Sequence, residues 1–143
     1  ISCGQIEFVV KENNELKNKV NIITSENSDE RFNRTLYSFF GNSKNYDYVL
    51  KTTFVERKEN RIVKKNQVAE KVDYTLEVNY ELFYKNDNCQ IFNQKIISKF
   101  SFTPKSFGYN FGADRSFEKL YENTIRQNIQ KFLEVVEIKT SCQ

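Results

Sequence analysis

From Val72 to Tyr84 every second residue is apolar or aromatic: Val72, Tyr74, Leu76, Val78, Tyr80, Leu82 and Tyr84, with Asp73, Thr75, Glu77, Asn79 and Glu81 between them. A period of two is that of a β-strand, whose side chains point alternately to opposite faces, so this segment offers one face to a core and one to water. Lys85-Asn86-Asp87-Asn88 supplies turn chemistry, and Cys89 to Thr103 returns as a strand with Phe92, Ile96, Phe100 and Phe102 on one face. Together they make a long hairpin. Upstream, Tyr46, Tyr48, Leu50, Thr52 and Phe54 alternate with Asp47, Val49, Lys51 and Thr53, which predicts a third strand with apolar character on both faces.

The period lengthens on either side of this block. Gln5 to Val10 and Lys19 to Thr24 read as short extended pieces, the second the better sheet strand. Asn27 and Glu30 have capping-box spacing, and Phe32, Leu36, Phe39 and Phe40 follow at i, i+4, i+7 and i+8 before Gly41, which predicts a helix of about three turns. Beyond the hairpin, Pro104, Gly108 and Gly112 punctuate an aromatic loop from Phe107 to Phe111. Asp114 or Ser116 can then cap a helix with the stripe Phe117, Leu120, Tyr121, Ile125, Ile129, Phe132, Leu133 and Val136, about 30 Å long. The order strand, helix, three antiparallel strands, helix predicts an α+β fold: a two-layer sandwich, with a mainly antiparallel four-stranded sheet and two helices packed on one face. A chain of 143 residues is one domain's length, and 1–143 is read as a single domain.

Composition closes off several functions. The chain has no histidine, so Ser-His-Asp, Cys-His and His-metal sites cannot be built. Its 22 basic and 19 acidic side chains are interspersed, and a net charge of +3 does not name nucleic acid as a partner. Asp73, Glu77 and Glu81 alternate on the strand face opposite the apolar one, where solvation accounts for them. They neither converge in a catalytic pocket nor leave a basic face for a nucleic acid strand. A non-enzyme without cofactor or metal is expected. No apolar run approaches the roughly 20 residues of a membrane span.

Three cysteines remain, Cys3, Cys89 and Cys142, too far apart for a zinc or CxxC motif. The opening Ile1-Ser2-Cys3-Gly4 matches the end of a bacterial lipoprotein signal, in which the thiol is acylated and the chain cut just before it. On that reading Cys3 is the lipid attachment residue and 1–18 an anchor and tether segment; an incidental cysteine near a terminus is the alternative. Antiparallel return of the last helix brings its end beside the start of the preceding strand, so Cys89 and Cys142 are a disulfide candidate in an oxidising compartment, against two free thiols.

The element order and the Cys-Gly start together resemble the LPS-assembly lipoprotein family LptE, the outer-membrane lipoprotein that sits inside the LptD barrel. Asn60 to Lys71 looks like that family's basic-polar-Gln-x-Ala-Glu turn before the alternating strand, and Phe100-Ser101-Phe102-Thr103-Pro104 like the exit from its last strand. Leu120-Tyr121-Glu122 through Lys131-Phe132-Leu133 resembles its C-terminal helix. The resemblance covers the chain from Cys3 to Leu133 and matches weakly from Gln5 to Asn18. It implies a non-enzymatic plug and assembly factor for an LptD-type barrel, lipid-anchored on the periplasmic face of the outer membrane and contacting lipopolysaccharide. Such a ligand carries anionic phosphates beside acyl chains, which cations next to apolar or aromatic side chains can bind. Two places offer the combination: the turn region with Arg57, Lys58, Arg61, Lys64 and Lys65, and the last strand with Lys95 and Lys99 close to Phe100 and Phe102. Arg61, Lys64, Lys65, Lys95 and Lys99 are the lipopolysaccharide-binding candidates. A cystatin-like envelope binding module for another protein or lipid is the competing expectation.

Overall fold

In a computed structural model, which describes residues 14–62, 70–103 and 111–138, the alternating segment is an inner strand of a four-stranded sheet. The elements in chain order are β1 (Val20–Thr24), α1 (Glu30–Phe40), β2 (Tyr48–Ile62), β3 (Glu70–Tyr84), β4 (Gln90–Phe102) and α2 (Phe111–Val135). Strand order is β1-β2-β3-β4, with β1 parallel to β2 and the other pairs antiparallel. The fold is α+β, as the periodicity predicts, with an open sheet made mixed by the parallel β1-β2 pair, and both helices contact the face that carries Leu50, Phe54, Leu76, Val78, Tyr80 and Leu82.

Three boundaries differ from the sequence expectation. β2 continues past Phe54 to Ile62 because its charged half pairs with the start of β3, Val55 opposite Glu77 and Ile62 opposite Glu70. Hydrophobic period does not report a strand half held by cross-strand charge pairs. Arg57, Lys58 and Arg61 therefore lie on a strand and not in a turn. The N-cap of α1 is Asp29 and not Asn27, since the Asp29 carboxylate accepts from Arg31 N at 2.8 Å while also binding the Arg31 guanidinium. The last helix begins at Phe111, ahead of Asp114 and Ser116. Gly112 costs a helix only about 1 kcal/mol, too little to stop it.

Within α2 the buried side is Tyr121, Thr124, Ile125, Asn128, Ile129 and Phe132, while Leu120 is 38% exposed. Leu120 precedes Tyr121 by about 100° of helical rotation, which carries it off the sheet-facing side. The core is aromatic at its centre. The Phe132 ring stacks on Tyr80 at 4.3 Å and meets Phe40 and Phe92 edge-on at 6.1 and 5.5 Å, so one residue joins both helices to β3 and β4. Phe32 packs on Phe54 at 4.9 Å. A fully buried ring of this kind contributes up to about 3 kcal/mol.

Two buried polar residues on the inner side are satisfied together. Tyr80 Oη donates to Asn128 Oδ1 at 2.7 Å, and Asn128 Nδ2 donates to the Ile96 carbonyl at 3.1 Å and to Ser98 Oγ at 2.9 Å. Burial pushes the Tyr80 phenol well above its ordinary pKa, so it stays a donor. This network sets the position of α2 along β4.

Asn14 to Asn18, expected to lie in the tether, folds onto the C-terminal end of α1. Asn18 N donates to the Phe40 carbonyl at 2.7 Å, Asn14 Nδ2 to the Phe39 carbonyl at 2.7 Å, and Leu16 is buried. Gly41 ends the helix at φ +77°, where an added Cβ would collide with the Asn18 side-chain oxygen. The remainder of the anchor and tether expectation, and the extended piece from Gln5 to Val10, lie outside the described residues.

Candidate functional site

The outer sheet face is wet, and its side chains are ordered by register. Arg57, Thr75 and Lys99 form one row across β2, β3 and β4, and Val55, Glu77 and Ile97 form the next. Glu77 draws in two cations: Arg57 Nε donates to Oε2 at 2.8 Å, and Lys95 Nζ lies 3.6 Å from Oε1. The Arg57 hydrogen bond, with the charges of Arg57 and Lys95, holds the Glu77 carboxyl below its usual pKa. Arg61 forks onto Asp73, Nε to Oδ2 at 3.0 Å and the second nitrogen to Oδ1 at 3.1 Å, and Ser101 Oγ donates to the same carboxylate at 2.6 Å. These bonds lower the Asp73 pKa, the Arg61 one most, and raise that of Arg61.

Lys99 differs from its neighbours. It is exposed, stands opposite Thr75, and among the described residues forms no ion pair. Beside it Ile97 is 52% exposed, and Val55 on the far side of Glu77 is 40% exposed. The patch of Arg57, Lys99, Val55 and Ile97 thus sets cationic heads beside bare aliphatic surface, with the Glu77 carboxylate between them already paired.

A second cation-rich place lies on the inner side at the same end of the sheet. Tyr74 stacks on Phe100 at 4.8 Å with a 3° tilt, Phe117 packs on Tyr74 at 5.2 Å and on Phe102 at 5.2 Å, and Lys58 Nζ stands 5.9 Å from the Tyr74 ring. Next to them Arg31 lies over the Tyr121 ring at 3.6 Å, clamped by Asp29 and by both oxygens of Glu118. Tyr121 Oη donates to Glu56 Oε1. Burial, then the Glu56 carboxylate, raises the Tyr121 pKa far above the ordinary phenol value, and the Asp29 hydrogen bond raises that of Arg31. Arg31 is a structural clamp joining α1 to α2, with its charge consumed internally.

The sequence-predicted residues divide accordingly. Arg61 and Lys95 sit on the outer face in ion pairs, and Lys99 sits there with none among the described residues. Lys99 and Phe100 are neighbours in sequence, but strand alternation sends them to opposite faces, so Lys95 and Lys99 do not share a surface with Phe100 and Phe102. Lys64, Lys65, Cys3 and Cys142 lie outside the described residues. Cys89 is disulfide-bonded, half-buried, and packed against the core. Val55 and Ile97 went unnoticed in the sequence, although aliphatics at positions of polar parity are a readable signal. Among the described residues no group of three Cys, Asp or Glu side chains is placed to hold a metal, and no helix is long and apolar enough to cross a membrane.

The sequence matches no family model and no curated protein. The fold does have solved neighbours, and lipoproteins are among them. A candidate lipoprotein of Caulobacter crescentus superposes with a TM-score of 0.58 at 10% identity, covering 81% of this chain and 85% of that one. The minor lipoprotein of Acinetobacter baumannii gives 0.55 at 15% identity, over 82% and 90% of the two chains. Rare lipoprotein B of Shewanella oneidensis gives 0.53 at 14% identity, over 81% and 91%. This chain has their fold.

Proposed function

We propose that this protein is a lipid-anchored envelope protein of the LptE type: acylated at Cys3, held at the periplasmic face of the outer membrane, assembled with an LptD-type β-barrel, and in contact with lipopolysaccharide. The observation that carries the reading is the outer-face patch, where Lys99 and Arg57 stand beside exposed Ile97 and Val55 on a fold shared with lipoproteins. Lipid A presents phosphates next to acyl chains. A lysine with no ion-pair partner among the described residues can bind a phosphate without first losing one of their carboxylates, whereas Arg57, Arg61 and Lys95 must exchange Glu77 or Asp73 for the new anion. Lys99 is therefore the primary contact, with Arg57 and Lys95, which share Glu77, and Arg61, held by Asp73, behind it. Lys64 and Lys65 extend the same basic end in sequence.

Co-expression with the cognate barrel and affinity capture tests the assembly role, and a chain that neither copurifies with the barrel nor supports its assembly overturns it. Lipopolysaccharide capture tests the contact. Lys99→Glu combined with Arg57→Glu should weaken it roughly tenfold, with Lys119→Glu combined with Lys131→Glu, both exposed on α2, as the control of equal charge change. Equal loss in both variants would show attraction by net charge alone and remove the site.

A further inference from the structure

We infer that Cys89 is bridged to Cys142, so that the chain following α2 is stapled to the β3-β4 turn and Cys3 is the thiol left for acylation; the last clause rests on the lipoprotein reading, the bridge does not. Cys89 is disulfide-bonded, and the chain offers two partners, Cys3 and Cys142. The packing of α2 chooses between them. That helix runs antiparallel to β4: Phe117 meets Phe102, Asn128 meets Ile96 and Ser98, and Phe132 meets Phe92. Its C-terminal end thus arrives beside the start of β4, where the Tyr84 N–H donates to the Cys89 carbonyl at 3.0 Å and closes the turn.

Val136 and Ile138, past the end of the helix, pack on the same core cluster as Cys89. From Ile138 four peptide units lead to Cys142, a reach of about 14 Å. From Cys3 eleven units lead to Asn14, the first residue held by the fold through its bond to the Phe39 carbonyl. The shorter leash keeps its thiol at the higher effective concentration near Cys89. Closure follows ordinary exchange chemistry. One thiol loses its proton and attacks an external disulfide, protein-borne or small, releasing one thiolate. The second cysteine then attacks the mixed disulfide and releases the other, so two cysteine thiols are oxidised to one S–S bond and the donor is reduced to two thiols.

The bridge encloses β4 and α2, the two elements that carry Lys99, Ile97 and much of the inner aromatic cluster, in a ring reaching from residue 89 to residue 142. It restrains the unfolded chain most strongly in the half of the molecule that presents the proposed contact. Peptide mapping of the full chain under non-reducing conditions, with free thiols blocked at isolation, is the test. A Cys89–Cys142 linked peptide with Cys3 blocked or acylated supports the inference, while a Cys3–Cys89 linked peptide or three blocked thiols overturns it. Reduction should lower Tm by about 10 °C in the parent. A Cys3→Ala variant should show the same fall, and a Cys142→Ser variant should start at the lower Tm and be insensitive to reductant. A fall that persists in Cys142→Ser also overturns the pairing. Loss of acylation at Cys3 with the Cys89–Cys142 bridge intact would instead count against the lipoprotein reading alone.

Discussion

The two faces of the sheet are built from the same three long strands, yet they hold their neighbours by different physics. On the inner face, alternate residues of β3 and β4 meet Phe132, Tyr121, Ile125 and Ile129 of α2, and two buried polar side chains, Tyr80 and Asn128, are satisfied by each other and by β4. On the outer face, Arg57, Glu77 and Lys95, and separately Arg61, Asp73 and Ser101, cross-link the strands through solvated hydrogen bonds. Inner contacts cannot be exchanged without unfolding, because nothing else can fill a buried site. Outer contacts exchange readily, because water and salt compete for every one of them. The contact proposed above lies on this exchangeable outer face.

Substitutions can break this contrast. The largest loss should come from Phe132→Ala, which removes the ring shared by Tyr80, Phe40 and Phe92: about 3–5 kcal/mol in urea unfolding. Asn128→Leu should cost about 1–3 kcal/mol, since it strands the Tyr80 hydroxyl in the core. Tyr80→Phe in that background should recover part of the loss, and simple additivity of the two would show that the pair does not act as a unit. Removing the α1 cap by Asp29→Ala should cost about 1 kcal/mol, read from thermal or urea unfolding.

The smallest effect belongs to the outer carboxylates. The pKa values of Asp73 and Glu77 are lower in the folded state, so the stability they contribute is present above their unfolded values near 3.8 and 4.5 and is lost as pH falls through the folded ones. A titration of urea midpoints should fall in this acid window, and the fall should shrink in an Asp73→Asn, Glu77→Gln double variant. Added salt should flatten it as well. A salt-independent fall of the same size in that variant would assign the acid sensitivity to Asp29, whose pKa is lowered by its bonds to Arg31 on the inner side.

Much of the fold was legible where burial and periodicity coincide. Phe32, Leu36 and Phe40 announce α1, and the even residues from Val72 to Tyr84 announce β3, because each apolar side chain is needed on one face of its element. Legibility ended where burial did. Val55 to Ile62 extends β2 through cross-strand ion pairs that leave no hydrophobic trace, and the capping role fell to Asp29, which binds both the N–H and the guanidinium of Arg31, an arrangement that the Asn27–Glu30 spacing does not contain. Thr124 and Asn128 look like surface residues of a helix until Ile96 and Ser98 stand opposite Asn128 and the sheet closes over both.

The same division runs through the candidate site. Which residues are cationic and which cysteines can pair was written in the chain, since charge and thiol chemistry belong to residue types. Only the assembled sheet decided that Lys99 stands apart from Phe100 and that Val55 and Ile97 border the cations. It also decided that Asp73 and Glu77 engage Arg61 and Lys95, and that among the described residues no carboxylate engages Lys99. An ion pair between strands depends on register. Register is set by the fit of the whole inner face against two helices, and no single segment contains that information.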